Sequence, residues 1–156
     1  MTSRVSWDET WLDMARSIGH RSRCDRAQVG AVIVTADNRI ASTGYNGPPQ
    51  GLPVTGSCSG WCPRAMGLTD LSADYSACES LHAEDNALLR ADFTEIRGGT
   101  IYVSRAICII CARRIANSGL RQAIHRVTDS DLHRDPDKVE AYLTQVGIAV
   151  FRSKDG

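Results

Sequence analysis

The chain has 156 residues, of which 42% are hydrophobic and 23% charged, with 13 Gly and 5 Pro. That is one domain's worth of chain with a real core, and it excludes disordered, collagen-like and repeat architectures. Eighteen basic residues balance eighteen acidic ones, so no global positive field would gather nucleic acid or acidic membrane.

Ser6-Trp7-Asp8-Glu9 has the Ser-x-x-Glu form that opens a helix, and Trp11, Met14, Ala15 and Ile18 recur at helical spacing; this predicts a first helix over about 7–19. The same stretch carries Asp8, Glu9 and Asp13 and no apolar run long enough for a signal peptide or a span, so a cytoplasmic address and no membrane partner are expected. Val29 to Val34 is nearly all apolar and β-branched, and Asp37-Asn38 separates it from Ile40 to Tyr45, the pattern of an antiparallel hairpin with a central first strand. Residues 46–77 contain Pro48, Pro49, Gly51, Pro53, Gly56, Gly60, Pro63 and Gly67 without a sustained period, which marks a long functional loop that something must tie down.

Leu81 to Arg90 reads as a second helix, Thr100 to Val103 as a short strand, and Cys108 to Ser118 as a third helix stopped by Gly119. A strand follows at about 122–127; Pro136 opens a fourth helix reaching about Val146, and Ile148 to Phe151 form the last strand. Helices between the last three strands favour parallel right-handed crossovers, hence an α/β mixed sheet with helices on both faces.

Six cysteines stand at 24, 58, 62, 78, 108 and 111. In a chain without a secretory signal, metal ligation explains them better than a disulfide framework. Two thiolates three apart at the start of a helix lie on one face, where free N–H groups and the positive dipole end favour negative charge. With His82 they make three zinc ligands, His82, Cys108 and Cys111, and leave the open fourth position of a catalytic site. Glu84 diverges from His82 in mid-helix, so the two converge only if the N-terminal end of the second helix points into the site. A carboxylate there does what zinc hydrolysis of an aminopyrimidine needs, taking a proton from water and delivering protons to the ring nitrogen and leaving amine. Each residue alone has a plainer reading, a structural histidine or buried small cysteines; it is the combination His-x-Glu with Cys-x-x-Cys that is specific.

The chain resembles the deoxycytidylate (dCMP) deaminase family of the cytidine deaminase superfamily. The resemblance runs from Arg21-Ser22-Arg23-Cys24 through Gln28 to Val34, Thr43-Gly44-Tyr45-Asn46-Gly47-Pro48-Pro49, Cys62-Pro63-Arg64, Cys78 and His82 to Leu88, then Ile101-Tyr102-Val103, the cysteine helix and Ser118-Gly119. It implies a three-layer, five-stranded sheet of order 2-1-3-4-5, zinc on His82, Cys108 and Cys111, and proton transfer by Glu84. It also implies substrate contacts at Asn46, Ala83, Ala106 and Ile107, a homo-oligomer, often a hexamer, and regulation by dCTP and dTTP. One departure touches the centre. The family usually has Ser-Pro-Cys where this chain has Ala106-Ile107-Cys108, which leaves open both ordinary dCMP and a 5-methyl or 5-hydroxymethyl dCMP as substrate.

Some members carry a second, structural zinc on Cys and His ligands, so Cys24, Cys58, Cys62 and Cys78 form a candidate second metal site that would tie the long loop, with His20 as a substitute ligand; ordinary burial of Cys24 and a free loop thiol at Cys58 compete with it. A nucleotide also needs a phosphate contact, for which Arg26 leads among Arg21, Arg23, Arg26, Arg64 and Arg105. A tRNA or polynucleotide deaminase, a nucleoside deaminase and a non-catalytic nucleotide sensor are the rival functions; zero net charge and few aromatics speak against the first, and Glu84, which ligation does not require, against the last.

Overall fold

The computed structural model describes residues 3–69 and 76–153, so residues 70–75 of the expected loop lie outside the described residues. The elements are α1 (Trp7–Gly19), β1 (Gly30–Val34), β2 (Ile40–Tyr45), a 3₁₀ turn (Cys58–Gly60), α2 (Ala83–Leu89), β3 (Thr100–Val103), α3 (Ile109–Ala116), β4 (Gln122–Arg126), a 3₁₀ segment (Asp129–Arg134), α4 (Pro136–Gln145) and β5 (Ala149–Ser153). The strands form one sheet of order β2-β1-β3-β4-β5. β1 runs antiparallel to both β2 and β3, and β3-β4 and β4-β5 are parallel, the mixed sheet expected.

Alternation along the strands divides the core into two layers. Ala31, Ile33, Ile101, Val103 and Ala123 face α2, α3 and α4; Val32, Val34, Tyr102 and Ile124 face Trp11, Leu12 and Ala15 of α1. α1 starts where Ser6 Oγ accepts the Glu9 N–H at 3.2 Å.

Two differences from the sequence reading bear on the site. α2 begins at Ala83, not Leu81, because Leu81 pairs as extended backbone with Gly47 through two hydrogen bonds of 2.8 and 3.1 Å. The segment 129–134, with no helix expected, is a 3₁₀ turn opened by a reciprocal cap between Thr128 and Asp131.

β2 holds α2 unusually close. Ser42 Oγ donates to the Ala87 carbonyl at 2.7 Å, and Asn86 Nδ2 to the Tyr45 carbonyl at 2.9 Å. Only glycine fits between them at position 44, since a Cβ there would meet Ala83 O at 2.2 Å and Ala87 N at 2.4 Å. Gly44→Ala therefore forces the first turn of α2 off the sheet, and we expect a loss of about 1–3 kcal/mol, read as a lower melting temperature together with weaker metal retention at the adjacent His82.

Candidate active site

His82 and Cys108 occupy equivalent positions, each the extended residue that caps a helix: His82 before α2 and Cys108 before α3. Cys111 follows in the first turn of α3. Two helix starts thus converge, as the pairing of His82 with Glu84 required. His82 Nδ1 lies 3.4 Å from Cys108 Sγ and 3.3 Å from Cys111 Sγ. Among the described residues this is the one group of three or more such side chains whose ligand atoms all lie within 4.8 Å of one another. Arg114 of α3 pairs with both carboxylate oxygens of Asp85 on α2, which ties together the two ligand-bearing helices.

One of the three donors, Cys108, is already shifted toward the charged form a soft dication binds. The bond from Cys111 and the neighbouring His82 lower the Cys108 thiol to about 3, while that bond and burial push Cys111 up. Burial pulls His82 down, but the bond to Cys108 and the charge of Glu84 outweigh it and leave the imidazole above its ordinary value. A sulfur pair with one proton to lose, beside an imidazole, fits a thiophilic divalent ion such as zinc.

Glu84 is 2% exposed and sits in the second position of α2. Burial pushes its carboxyl up, His82 pulls it back, and Cys108 adds to the rise. Glu84, His82 and Ala83 line a cavity of about 280 Å³ whose wall also includes Asn46, Arg26 and Arg105. Of the residues assigned to substrate from the sequence, these four (Ala83, Asn46, Arg26, Arg105) are therefore brought together. Ala106 and Ile107 are fully buried and lie outside that lining.

Asn46 is already committed in part: its Oδ1 accepts the Val29 N–H at 2.8 Å and its Nδ2 donates to the Ala27 carbonyl at 2.9 Å. It fixes the entry to β1 while presenting to the cavity.

Ser130, His133 and Arg134 also line the cavity, and the sequence reading missed them. The signal was present as the Thr128-x-x-Asp131 cap. Asp131 is fully buried and gathers the rim: Arg105 Nε bonds its two oxygens at 3.0 and 3.1 Å, and Arg105 Nη2 reaches Ser130 Oγ at 2.8 Å. Burial works against the carboxylate, but Arg105 and Thr128 hold it below its ordinary value. A lowered carboxyl contributes stability that is present above the unfolded pKa and lost as pH falls through the folded one. We expect Asp131→Asn to cost about 1–3 kcal/mol at neutral pH, and the gap from wild type in denaturant melts to close as pH falls below about 4.

The family model of the cytidine and deoxycytidylate deaminase zinc-binding region matches residues 5–126. The chain belongs to this family. It is 41% identical to the deoxycytidylate deaminase of Mycobacterium phage D29 over 128 residues, covering 79% of this chain and 96% of that protein. It is 34% identical to the deoxycytidylate deaminase of Schizosaccharomyces pombe over 126 residues, 80% of this chain but 38% of that protein, so it spans well under half of that relative. The crystal structure of dCMP deaminase from the cyanophage S-TIM5 in complex with dCMP and dUMP matches with a TM-score of 0.72 at 26% identity, over 97% of this chain and all of that one.

Apart from the His82, Cys108 and Cys111 group, the chain brings four cysteines to the cavity that His82 and Glu84 line. Cys24, Cys58, Cys62 and Cys78 all line it, in two pairs: Cys58 beside Cys24, and Cys62 Sγ 3.9 Å from Cys78 Sγ. Burial pushes the Cys58 thiol up to about 11. Burial also opposes ionisation of Cys62, but N–H groups of Ala65, Glu79 and Arg64 aim at its sulfur and bring it below the ordinary value. A second cavity of about 410 Å³ opens beside Tyr45 and Gly47, lined by Arg21, Arg23 and Arg90. No helix among the described residues is long and apolar enough to cross a membrane.

Proposed function

We propose that this chain hydrolyses dCMP to dUMP and ammonia at the cavity holding Glu84. The observation that carries this reading is a buried carboxylate that belongs to no ligand group yet lines the same cavity as His82. Bound at His82, Cys108 and Cys111, zinc supplies the Lewis acidity that makes water nucleophilic at neutral pH. Glu84 takes a proton from the attacking water and delivers it to the ring nitrogen, then passes a second to the amine. A C–O bond forms at C4, the C–N bond breaks, and ammonia leaves. Burial raises its carboxyl above the ordinary glutamate value, which makes it a stronger proton acceptor than a free glutamate.

The names of the relatives point to a deoxycytidine monophosphate, and the cavity walls agree. Arg26 supplies the phosphate contact, and Arg105 and Arg134 also line the cavity. About 280 Å³ is close to the lower bound of about 300 Å³ for small-molecule sites, which suits a mononucleotide. Ile107 is buried outside the lining, so its side chain gives no ground for preferring the 5-methyl or 5-hydroxymethyl forms to dCMP.

The test is ammonia release by zinc-loaded protein from dCMP, the two 5-substituted nucleotides and deoxycytidine. The expected order puts dCMP first and deoxycytidine about ten- to a hundredfold lower in kcat/KM, the worth of a charge-assisted contact. Equal turnover of deoxycytidine would replace the nucleotide reading with the nucleoside one.

Three further features belong to the same reading. Cys24, Cys58, Cys62 and Cys78 hold a second zinc that ties the long loop to the active-site wall, supported by their two pairs in one cavity lining and the N–H groups aimed at Cys62; the four sulfurs do not all lie within 4.8 Å of one another, so the ion would have to draw the two pairs together. The arginine-lined second cavity takes the triphosphate of dCTP or dTTP as effector. The chain works in the cytoplasm as a homo-oligomer, a hexamer by the family resemblance, and the exposed Leu89 at the end of α2 and Phe93 just past it suit a surface that a second copy covers.

A further inference from the structure

The peptide unit joining Ala106 to Ile107, one residue before Cys108, is held at both ends by side chains. Its carbonyl oxygen accepts from Arg134 Nη1 at 2.7 Å. Its N–H points at His125 Nδ1, 3.1 Å away. Ala106, Ile107 and His125 are all fully buried, so neither end of the peptide can turn to water instead. The other ring nitrogen of His125 faces Glu140 Oε1 at 2.8 Å. Glu140 on α4 also accepts from Arg152 Nε at 2.9 Å, and Arg152 Nη2 reaches Asp137 at 2.6 Å.

This arrangement fixes the imidazole in one form. A backbone donor at Nδ1 requires a bare nitrogen there, and a carboxylate at Nε2 requires the proton on that side. Burial, opposed by Glu140, keeps His125 below its ordinary pKa, in keeping with that neutral form. A proline at position 107 would have no N–H to satisfy. Isoleucine brings a donor into a sealed core, and His125 accepts it.

We propose that His125 is a positioning residue of the metal site: by accepting the Ile107 N–H it fixes the plane of the 106–107 peptide, and so the backbone that presents the Cys108 sulfur to His82 and Cys111. The inference rests on the reading of those three residues as a zinc centre. It makes a chain from Arg152 and Glu140 at the surface through a neutral imidazole to the residue before a ligand.

The experiment is a double-mutant cycle on the zinc-loaded full chain, read by the rate of zinc transfer to a chromogenic chelator and by kcat and KM for dCMP. His125→Leu removes the acceptor at similar volume. It is expected to speed zinc transfer and lower kcat by on the order of ten- to a hundredfold each, the usual scale for partners behind a ligand, with KM little changed. His125→Asn places a carbonyl oxygen near the Nδ1 position and restores most of both. In an Ile107→Pro background the His125→Leu change alters neither, because no N–H remains to be accepted. Equal losses in both backgrounds would mean that His125 only fills space, and would overturn the proposal. Nitrogen NMR of the wild type gives a reading that needs no variant to fold. A coupling between Ile107 N and His125 Nδ1 across the hydrogen bond, with the ring proton on Nε2, is expected; a proton on Nδ1 overturns the assignment. The coupling and zinc-transfer readouts do not depend on turnover of dCMP, so failure of the clamp and failure of the deaminase reading remain distinguishable.

Discussion

Glu84→Gln is expected to lower kcat on dCMP by about 10²- to 10⁴-fold, the range for removing a positioned general acid–base, while zinc content and KM stay near wild type. The amide keeps the shape of the carboxylate and its place in the cavity wall but cannot accept and return a proton. Glu84 belongs to no ligand group, so the metal does not depend on it. The direction of its pKa adds a second expectation. Burial raises the carboxyl, which means that the folded chain carries the cost of a buried acid in its charged form. A neutral isostere removes that cost, so the melting temperature of the variant should equal or exceed wild type. Loss of activity with no loss of stability is the mark of a group held for chemistry. Metal analysis, a melt and steady-state kinetics on one preparation check all three. Turnover within tenfold of wild type would move the proton transfer to another group.

Most of this centre was legible in the sequence because its parts are local. Cys108 and Cys111 are three apart, His82 and Glu84 two apart, and each pair takes its geometry from one helix start. The sheet order was legible for a related reason: helices between β3, β4 and β5 leave parallel crossovers as the economical connection. What the sequence hid is made by contacts between distant segments. Leu81 fits the helical pattern, yet its backbone pairs with Gly47, and this moves the start of α2 to place His82 at the cap. Arg105 is one of several arginines that suit a phosphate contact; it does line the cavity, and what holds it there is Asp131, twenty-six positions away. Ile107 read as a departure in the pocket, and its side chain lies in the core while its amide is held by His125. In each case the residue type was informative and the partner was not, because nothing in local spacing specifies which strand or turn will bring the partner near.

Metal removal should separate the two sets of cysteines by what each loss does. Cys111→Ser leaves His82 and Cys108 as a two-ligand remnant, and we expect one zinc per chain to be lost with all measurable turnover. Cys62→Ser breaks the sulfur at which three N–H groups aim. There we expect the other zinc to be lost, the melting temperature to fall, and KM to rise more than kcat falls, because those thiols line the substrate cavity but do not contact the reacting carbon. Two zincs per wild-type chain, each lost with a different variant, would establish both centres; a single zinc, absent only from Cys111→Ser, would reduce the other four cysteines to buried packing. Acid should strip the two in a fixed order. Each thiol must lose its proton to bind, so affinity falls with pH more steeply where more protons are displaced. The loop centre has four thiols, with Cys58 and Cys78 pushed up by burial. At the His82 centre there are two, of which Cys108 is ionised down to about 3 and Cys111 is pushed up, beside an imidazole held above its ordinary value, so fewer protons are displaced there than from four thiols. Dialysis at stepwise lower pH should therefore release the loop zinc first, with activity declining through KM, and the His82 zinc afterwards, with activity lost outright. Release in the opposite order would show that the four loop thiols bind as a preformed set of thiolates and that their burial does not govern the site.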